Sequence, residues 1–203
     1  MGEINRFRYP MPRAIVQGQE EFNDQVDIVP SRRYFLTYNN FPYEFQLIDI
    51  QVFLRHGDFV WLKGEPDRVR TLLKHGKGVV ISEVFSNRTG VTMGDRFRAR
   101  IQSSLVELPV LGIIRDYRTQ GGVVFYSLPQ FNIRYHEVPW GGCRMFLKDR
   151  TKDPETAIAS LQNEFVRRWG DTLEIISGQA LRNTILRVFD ETFAITIVLL
   201  LIA

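Results

Sequence analysis

The spacing of hydrophobic positions changes period several times along the chain, and each change predicts an element. Residues 4–16 and 31–38 are aromatic and β-branched, interrupted by Pro10, Pro12 and Pro30, and read as strands and irregular loops. Asn39-Asn40-Phe41-Pro42 is a turn signal. The apolar run 45–54 predicts a strand passing into a short helical turn that ends at His56-Gly57. Over 66–75 the pattern becomes helical, with Pro66 in the first turn, Val69, Leu72 and Leu73 on one face and Gly76 behind. A buried strand over 78–82 leads into 83–87, and the loop 90–95 turns the chain into 96–102. Strands over 107–117 and 122–127 are joined by a short Gly-containing loop, which predicts a hairpin. After a strand at 141–146, Asp153-Pro154 opens the clearest helix, with Asp as cap and Pro at the first helical position. Its stripe is Ile158, Leu161, Phe165 and Trp169, Gly170 ends it, and 171–176 reads as a strand.

The final stretch has a different pattern. From Phe193 to Ala203 eleven residues pass with no charge, Gly or Pro, and Leu181, Ile185, Val188 and Phe189 precede them at helical spacing, with Ser177 as cap. A helix apolar on all sides belongs inside protein or lipid. Eleven residues rise only ~16 Å, about half of a ~30 Å hydrocarbon core. The segment is therefore either half of a membrane span or a short helix docked in a groove. With no polar C-cap, entry into a membrane helix over 179–203 is the expectation. Arg182 and Arg187 against Asp190 and Glu191 leave its orientation undecided.

The order of elements is α+β, with no internal repeat. Hydrophobic residues at 44% and charged ones at 24% of 203 positions describe a folded chain. The net charge of +3, from 26 basic and 23 acidic residues, lacks the concentrated basic face of a nucleic-acid binder. The lone Cys143 excludes an intramolecular disulfide and a Cys-rich metal site. Arg6, Arg8 and Arg13 are followed by no apolar run of signal-peptide type.

Catalytic patterns are missing. His56, His75 and His136 lack metal-ligand spacing, and His136-Glu137 is followed by Val138-Pro139 with no second His. The Gly pairs and Gly90–Gly94 fit neither a phosphate loop nor a dinucleotide fingerprint, and no nucleophile elbow is present. The expectation is a non-enzyme with no cofactor, no metal and no catalytic residue. One surface pattern stands out. Arg96, Arg98 and Arg100 alternate with Phe97, Ala99 and Ile101, which places three guanidiniums on one face of a strand. That face is either simply solvated or a contact for an anionic surface, meaning lipid headgroups or an acidic partner.

Four segments, taken in order, resemble FtsX-like permeases and the MacB-type periplasmic core domain of ABC transporters: residues 78–85, 90–95, 110–117 and 121–125. In that family a strand ending in Ser-Glu precedes a helix, a Gly-x-x-x-Gly-Asp loop starts a barrel-like strand, and a Val-x-Gly-Ile segment follows. The tail from Leu181 is similar to the family's helix entering its second membrane span. The resemblance covers 4–203, and it places the preceding membrane helix and the first strand and helix of the α/β lobe upstream of residue 1.

The resemblance implies an α/β porter-like lobe formed by 1–55 and 143–178, an inserted β-rich (Sabre-like) lobe over 56–142, and a helix entering the membrane over 179–203. It also implies an extracytoplasmic domain at the plasma (inner) membrane. The expected partners are an ABC ATPase subunit or domain, the remaining transmembrane segments of a dimeric transporter, and a periplasmic partner or lipid cargo. The implied function couples ATP-driven helix motion to export or extraction of a hydrophobic or amphiphilic cargo such as a lipoprotein, lipid, peptide or drug. The alternative is a membrane-anchored module that recruits or regulates a periplasmic partner without transport.

Overall fold

The computed structural model describes residues 10–116, 119–148, 153–170 and Arg187. The chain divides into two compact units, 1–148 and 149–203. In the first, eight strands form one mixed sheet: β1 (Val26–Tyr38), β2 (Phe41–Ile48), β3 (Val60–Lys63), β4 (Val79–Ser82), β5 (Arg96–Ile101), β6 (Ser104–Arg115), β7 (Val123–Ser127) and β8 (Gly142–Leu147). Five α-helices accompany them: α1 (Arg13–Gly18), α2 (Ile50–His56), α3 (Pro66–Lys74), α4 (Glu83–Thr89) and α5 (Leu128–Arg134). The strand order is β3-β6-β4-β7-β2-β1-β8, with β5 attached to β6 alone.

The centre of the sheet follows from two short apolar runs. Every residue of Val79–Ser82 and of Val123–Ser127 is buried, so both strands need cover on both faces. Val80, Val123 and Phe125 meet Ile50 of α2 and Val69 and Leu73 of α3 on one face. Val79, Ile81, Val124 and Tyr126 meet Phe85 of α4 and Leu128 and Phe131 of α5 on the other. Each such side chain contributes about 1.5–3 kcal/mol by leaving water. The Tyr126 hydroxyl keeps a partner by donating to the Gly76 carbonyl at 3.1 Å.

This demand for cover overrides the hairpin expected from the short loop between 107–117 and 122–127. β6 and β7 are not neighbours. β4 lies between them, parallel to β6 and antiparallel to β7, because its three apolar residues are buried most completely at the sheet centre. The returning chain crosses over the end of β4 instead. There Ser82 Oγ accepts from Phe85 N–H at 3.2 Å, capping α4, and from Val123 N–H at 2.9 Å, anchoring β7. A side chain on the crossing segment would collide with its track. A Cβ at Gly121 would lie 1.6 Å from the Pro42 carbonyl oxygen, and Gly122 holds φ +85° beside Phe85.

Other elements follow local signals. β1 and β2 form an antiparallel hairpin through Asn39 and Asn40, whose φ values of 46° and 67° match a two-residue hairpin turn. Asp49 caps α2 by accepting from Val52 N–H, and Glu65 caps α3 by accepting from Asp67 N–H and Arg68 N–H. Where 4–16 suggested extended chain, 13–18 are helical, because Pro12 stands immediately before the first turn and its φ of −56° leads the chain into it. The sheet also joins segments on either side of residues 55 and 56, since β2 pairs with β7 in parallel.

The β1–β8 edge is tied to α2 through one histidine. His56 Nε2–H donates to Asp27 Oδ2 at 2.6 Å, and the imidazole lies parallel to the Phe146 ring with centroids 4.5 Å apart. Phe146 is also the cross-strand neighbour of Asp27. The His56 hydrogen bond, with Arg55 and Lys148 nearby, holds the Asp27 carboxyl below its usual 3.8.

In the second unit, α6 (Pro154–Trp169) is the helix predicted from Asp153-Pro154. Thr156 N–H donates to Asp153 Oδ2 at 2.9 Å, and Gly170 ends the helix at φ +58°. The expected strand at 171–176 and the helix over 179–203 lie outside the described residues. Among the described residues no helix is long and apolar enough to cross a membrane.

Two outcomes are expected. Ser82→Ala leaves the buried amides of Phe85 and Val123 without their shared acceptor, so it lowers stability by about 2–3 kcal/mol, read as a lower urea midpoint with an unchanged slope. Asp27→Asn destabilises the protein at neutral pH. A depressed carboxylate stabilises above its unfolded pKa and loses that contribution as pH falls through its folded pKa. Urea midpoints of Asp27→Asn and the parent therefore converge below pH 3.8, and a gap that persists there would exclude the carboxylate charge as its cause.

Candidate functional site

The three alternating arginines lie where their spacing put them. β5 shows Arg96, Arg98 and Arg100 exposed, with Phe97 and Ile101 buried. The cause is the Phe97 ring. It stacks on Phe45 at 5.8 Å with 4° between planes and on Tyr38 at 6.3 Å, and meets Tyr43 and Phe85 edge-on at 6.0 Å each. With Phe97 driven inward, its neighbours two apart along the pleat must face solvent.

The partner strand is long enough to serve two purposes. Residues Val110–Ile114 of β6 pair with β4, whereas Ser104–Pro109 pair with β5. Along this second half Val106 and Leu108 turn into the core, and Leu105, Glu107 and Pro109 turn outward. The register sets Arg96 across from Pro109, Arg98 from Glu107 and Arg100 from Leu105. Arg96 Nε–H donates to Glu107 Oε1 at 2.7 Å, and Arg98 Nη2–H donates to the same oxygen at 3.1 Å. These two contacts, Arg98 first, hold the Glu107 carboxyl below its usual 4.5. One carboxylate thus serves two guanidiniums, and Arg100 has no ion-pair partner among the described residues. Beside Arg100, Leu105 is 58% exposed.

The hairpin tip is clamped from below. His136, just beyond α5, donates from Nε2 to Gln102 Oε1 at 2.8 Å and accepts at Nδ1 from the Ser104 hydroxyl at 2.9 Å. Its ring also meets Phe131 edge-on at 5.3 Å. Gln102 takes φ +52° to make the turn.

The remaining residues singled out in the sequence do structural work. His56 holds Asp27, and His75 donates from Nδ1 to the Thr71 carbonyl at 2.8 Å near the end of α3. Cys143 Sγ–H donates to Gln19 Oε1 at 3.3 Å, and burial pushes its thiol up to about 11. No three His, Cys, Asp or Glu side chains among the described residues come together as a metal site. Sequence reasoning missed Glu107 and the His136 clamp. The first was available by counting outward from the Gln102-Ser103 turn, which sets Glu107 against Arg98. The second joins residues 32 and 34 positions apart and left no local signal.

No family model matches the sequence. Over 144 residues, 70% of this chain, it is 27% identical to an uncharacterized ABC transporter permease protein of Mycobacterium tuberculosis, and it spans only 16% of that relative's length. Among solved structures, the periplasmic region of MacB from Actinobacillus actinomycetemcomitans is similar with a TM-score of 0.56 and 14% identity, over 91% of this chain and 88% of that one. The extracellular domain of the noncanonic ABC-type transporter YknZ from Gram-positive bacteria is similar with a TM-score of 0.52 and 10% identity, over 76% of this chain and 84% of that one. At such identities the likeness to solved structures is one of fold. In fold this chain is therefore similar to the periplasmic region of MacB and the extracellular domain of YknZ, and in sequence it is similar to an ABC transporter permease.

Proposed function

We propose that this chain is the extracytoplasmic domain of an ABC transporter permease subunit, on the outer side of the plasma membrane. In this reading the domain is not an enzyme. It couples helix motion, driven by an ATPase in a separate subunit or domain, to export or extraction of a hydrophobic or amphiphilic cargo. The observation that carries the reading is the fold shared with two extracytoplasmic ABC-transporter domains, joined to sequence similarity with a permease.

The geometry supports a mechanical role. A sheet buried on both faces at β4 and β7 resists bending, because displacing one strand strains its ladder and two packed layers. Hydrogen-bonded pairing runs without a break from β8 at one edge to β6 and its hairpin. A displacement applied at the β1–β8 edge therefore moves the arginine face as one body. The three histidines support the non-catalytic part of the proposal, since each is committed to a structural hydrogen bond.

Location is tested with the permease encoded by the complete gene, carrying Ser103→Cys at the exposed hairpin tip. With any cysteines outside these 203 residues replaced by Ser, a membrane-impermeant maleimide should label it in intact cells, while the same background without Ser103→Cys stays unlabelled because the Cys143 thiol, pushed up to about 11, remains protonated at neutral pH. Labelling only after lysis would place the domain on the wrong side. The same permease, solubilised gently, should bring an ATP-binding cassette protein with it or carry that domain itself. Finding neither would favour the recruiting module without transport.

A further inference from the structure

We propose that the outer face of the β5–β6 hairpin docks on anionic phospholipid headgroups, with Arg100 and Leu105 at the tip making the principal contact. The inference rests on the extracytoplasmic reading, which sets the domain beside a bilayer, and it names the ligand chemistry of the arginine face.

The argument begins with charge. Three guanidiniums and one carboxylate share this face, so it carries a net excess of two positive charges. Arg96 and Arg98 are partly satisfied by Glu107. Arg100 has no such carboxylate, and a guanidinium with free donors accepts a phosphate in a forked pair of hydrogen bonds. The apolar neighbour decides between partners. Leu105 stands directly across the ladder from Arg100 and is 58% exposed. A cation beside an exposed leucine on a turn suits the headgroup boundary, where the guanidinium meets phosphate and the leucine reaches toward the acyl region. A segment that offers carboxylates alone would satisfy the arginines and leave Leu105 no better placed than in water. The tip is also prepared in advance: Phe97 fixes the direction of the arginines and His136 fixes the turn, so little ordering is required on contact.

Glu107 makes the proposal discriminating. Neutralising it frees Arg96 and Arg98 for phosphate without touching an arginine. A merely solvated face would show no response in lipid binding.

The test measures co-sedimentation of the 203-residue chain with vesicles of phosphatidylcholine alone and of phosphatidylcholine mixed with phosphatidylglycerol. The quantity read is the increment caused by phosphatidylglycerol, which subtracts any charge-independent insertion of the apolar 193–203 segment. The parent should show a clear increment at low salt that shrinks as the screening length falls from ~10 Å at 0.1 M to ~3 Å at 1 M. Arg100→Gln should lower binding to the mixed vesicles about five-fold, the effect of one cation near such a surface. Glu107→Gln should raise it, and Leu105→Ser should lower it at both salt concentrations. All three positions are on the surface, and unchanged urea midpoints verify folding. No increment in the parent, or no gain in Glu107→Gln, overturns the proposal. So does an acidic peptide that binds as tightly as the vesicles and is indifferent to Leu105→Ser, an outcome that assigns the face to a protein partner. External labelling of Ser103→Cys without vesicle binding would sink this inference alone, and absence of external labelling would sink the reading beneath it.

Discussion

Strands β4 and β7 offer no polar side chain to water on either face, and the first unit is arranged around meeting that demand. Four helices supply the cover, two per face. A buried polar atom at the crossing, Ser82 Oγ, caps α4 and anchors the first amide of β7. Because β4 occupies the centre, the chain leaving β6 cannot fold straight back on it. It must pass over Ser82, and only glycine fits at residues 121 and 122 against Pro42 and Phe85. The mixed topology, parallel at β4–β6 and β2–β7 and antiparallel elsewhere, follows from that crossing.

The same arrangement creates the arginine face. β6 is a twelve-residue strand, whereas β4 has four residues, so half of β6 extends past its central neighbour. That extension would be a bare edge, prone to pairing with other chains. β5 covers it and folds its apolar side onto the sheet, where Phe97, Ile101, Val106 and Leu108 join the main core. What remains outside is dictated by the pleat: Arg96, Arg98 and Arg100 on β5 and Leu105, Glu107 and Pro109 on β6 take the outward positions. The charge pattern is thus a consequence of packing, and its chemistry comes from which residues the sequence set at the outward positions.

How much of this was legible in the sequence depended on how local each signal was. The α3 and α6 helices were readable because Pro at the first turn, a periodic apolar stripe and a following Gly all lie within one segment. The exposed arginines were readable because a strand's alternation needs no knowledge of its partner. The resemblance drawn from residues 78–125 likewise anticipated the MacB-like fold. Strand neighbours were a different matter. A short Gly-containing loop favours a hairpin locally, and the tertiary demand of β4 for cover on both faces outweighed it. The edge strand β3 escaped notice because Val60 and Leu62 are exposed and a bulge interrupts its pairing, so it carries no clean alternation. The α5 helix is only seven residues long and was hidden beneath the apolar run that ends β7.

The hairpin's two polar supports respond differently to protons. With His136 neutral, Ser104 donates to Nδ1 while Nε2–H holds Gln102. Adding a proton to Nδ1 reverses the first bond, since the serine hydroxyl can accept as readily as donate, and leaves the second intact. The clamp therefore survives either protonation state of the ring. Glu107 has no such alternative. Among the described residues of β5 and β6 its carboxylate is the one negative charge on the outward face, and protonation ends its attraction for Arg96 and Arg98 together. Because those arginines hold its pKa below 4.5, the neutralising charge persists through all mildly acidic conditions. The face thus keeps its excess of two positive charges over that range.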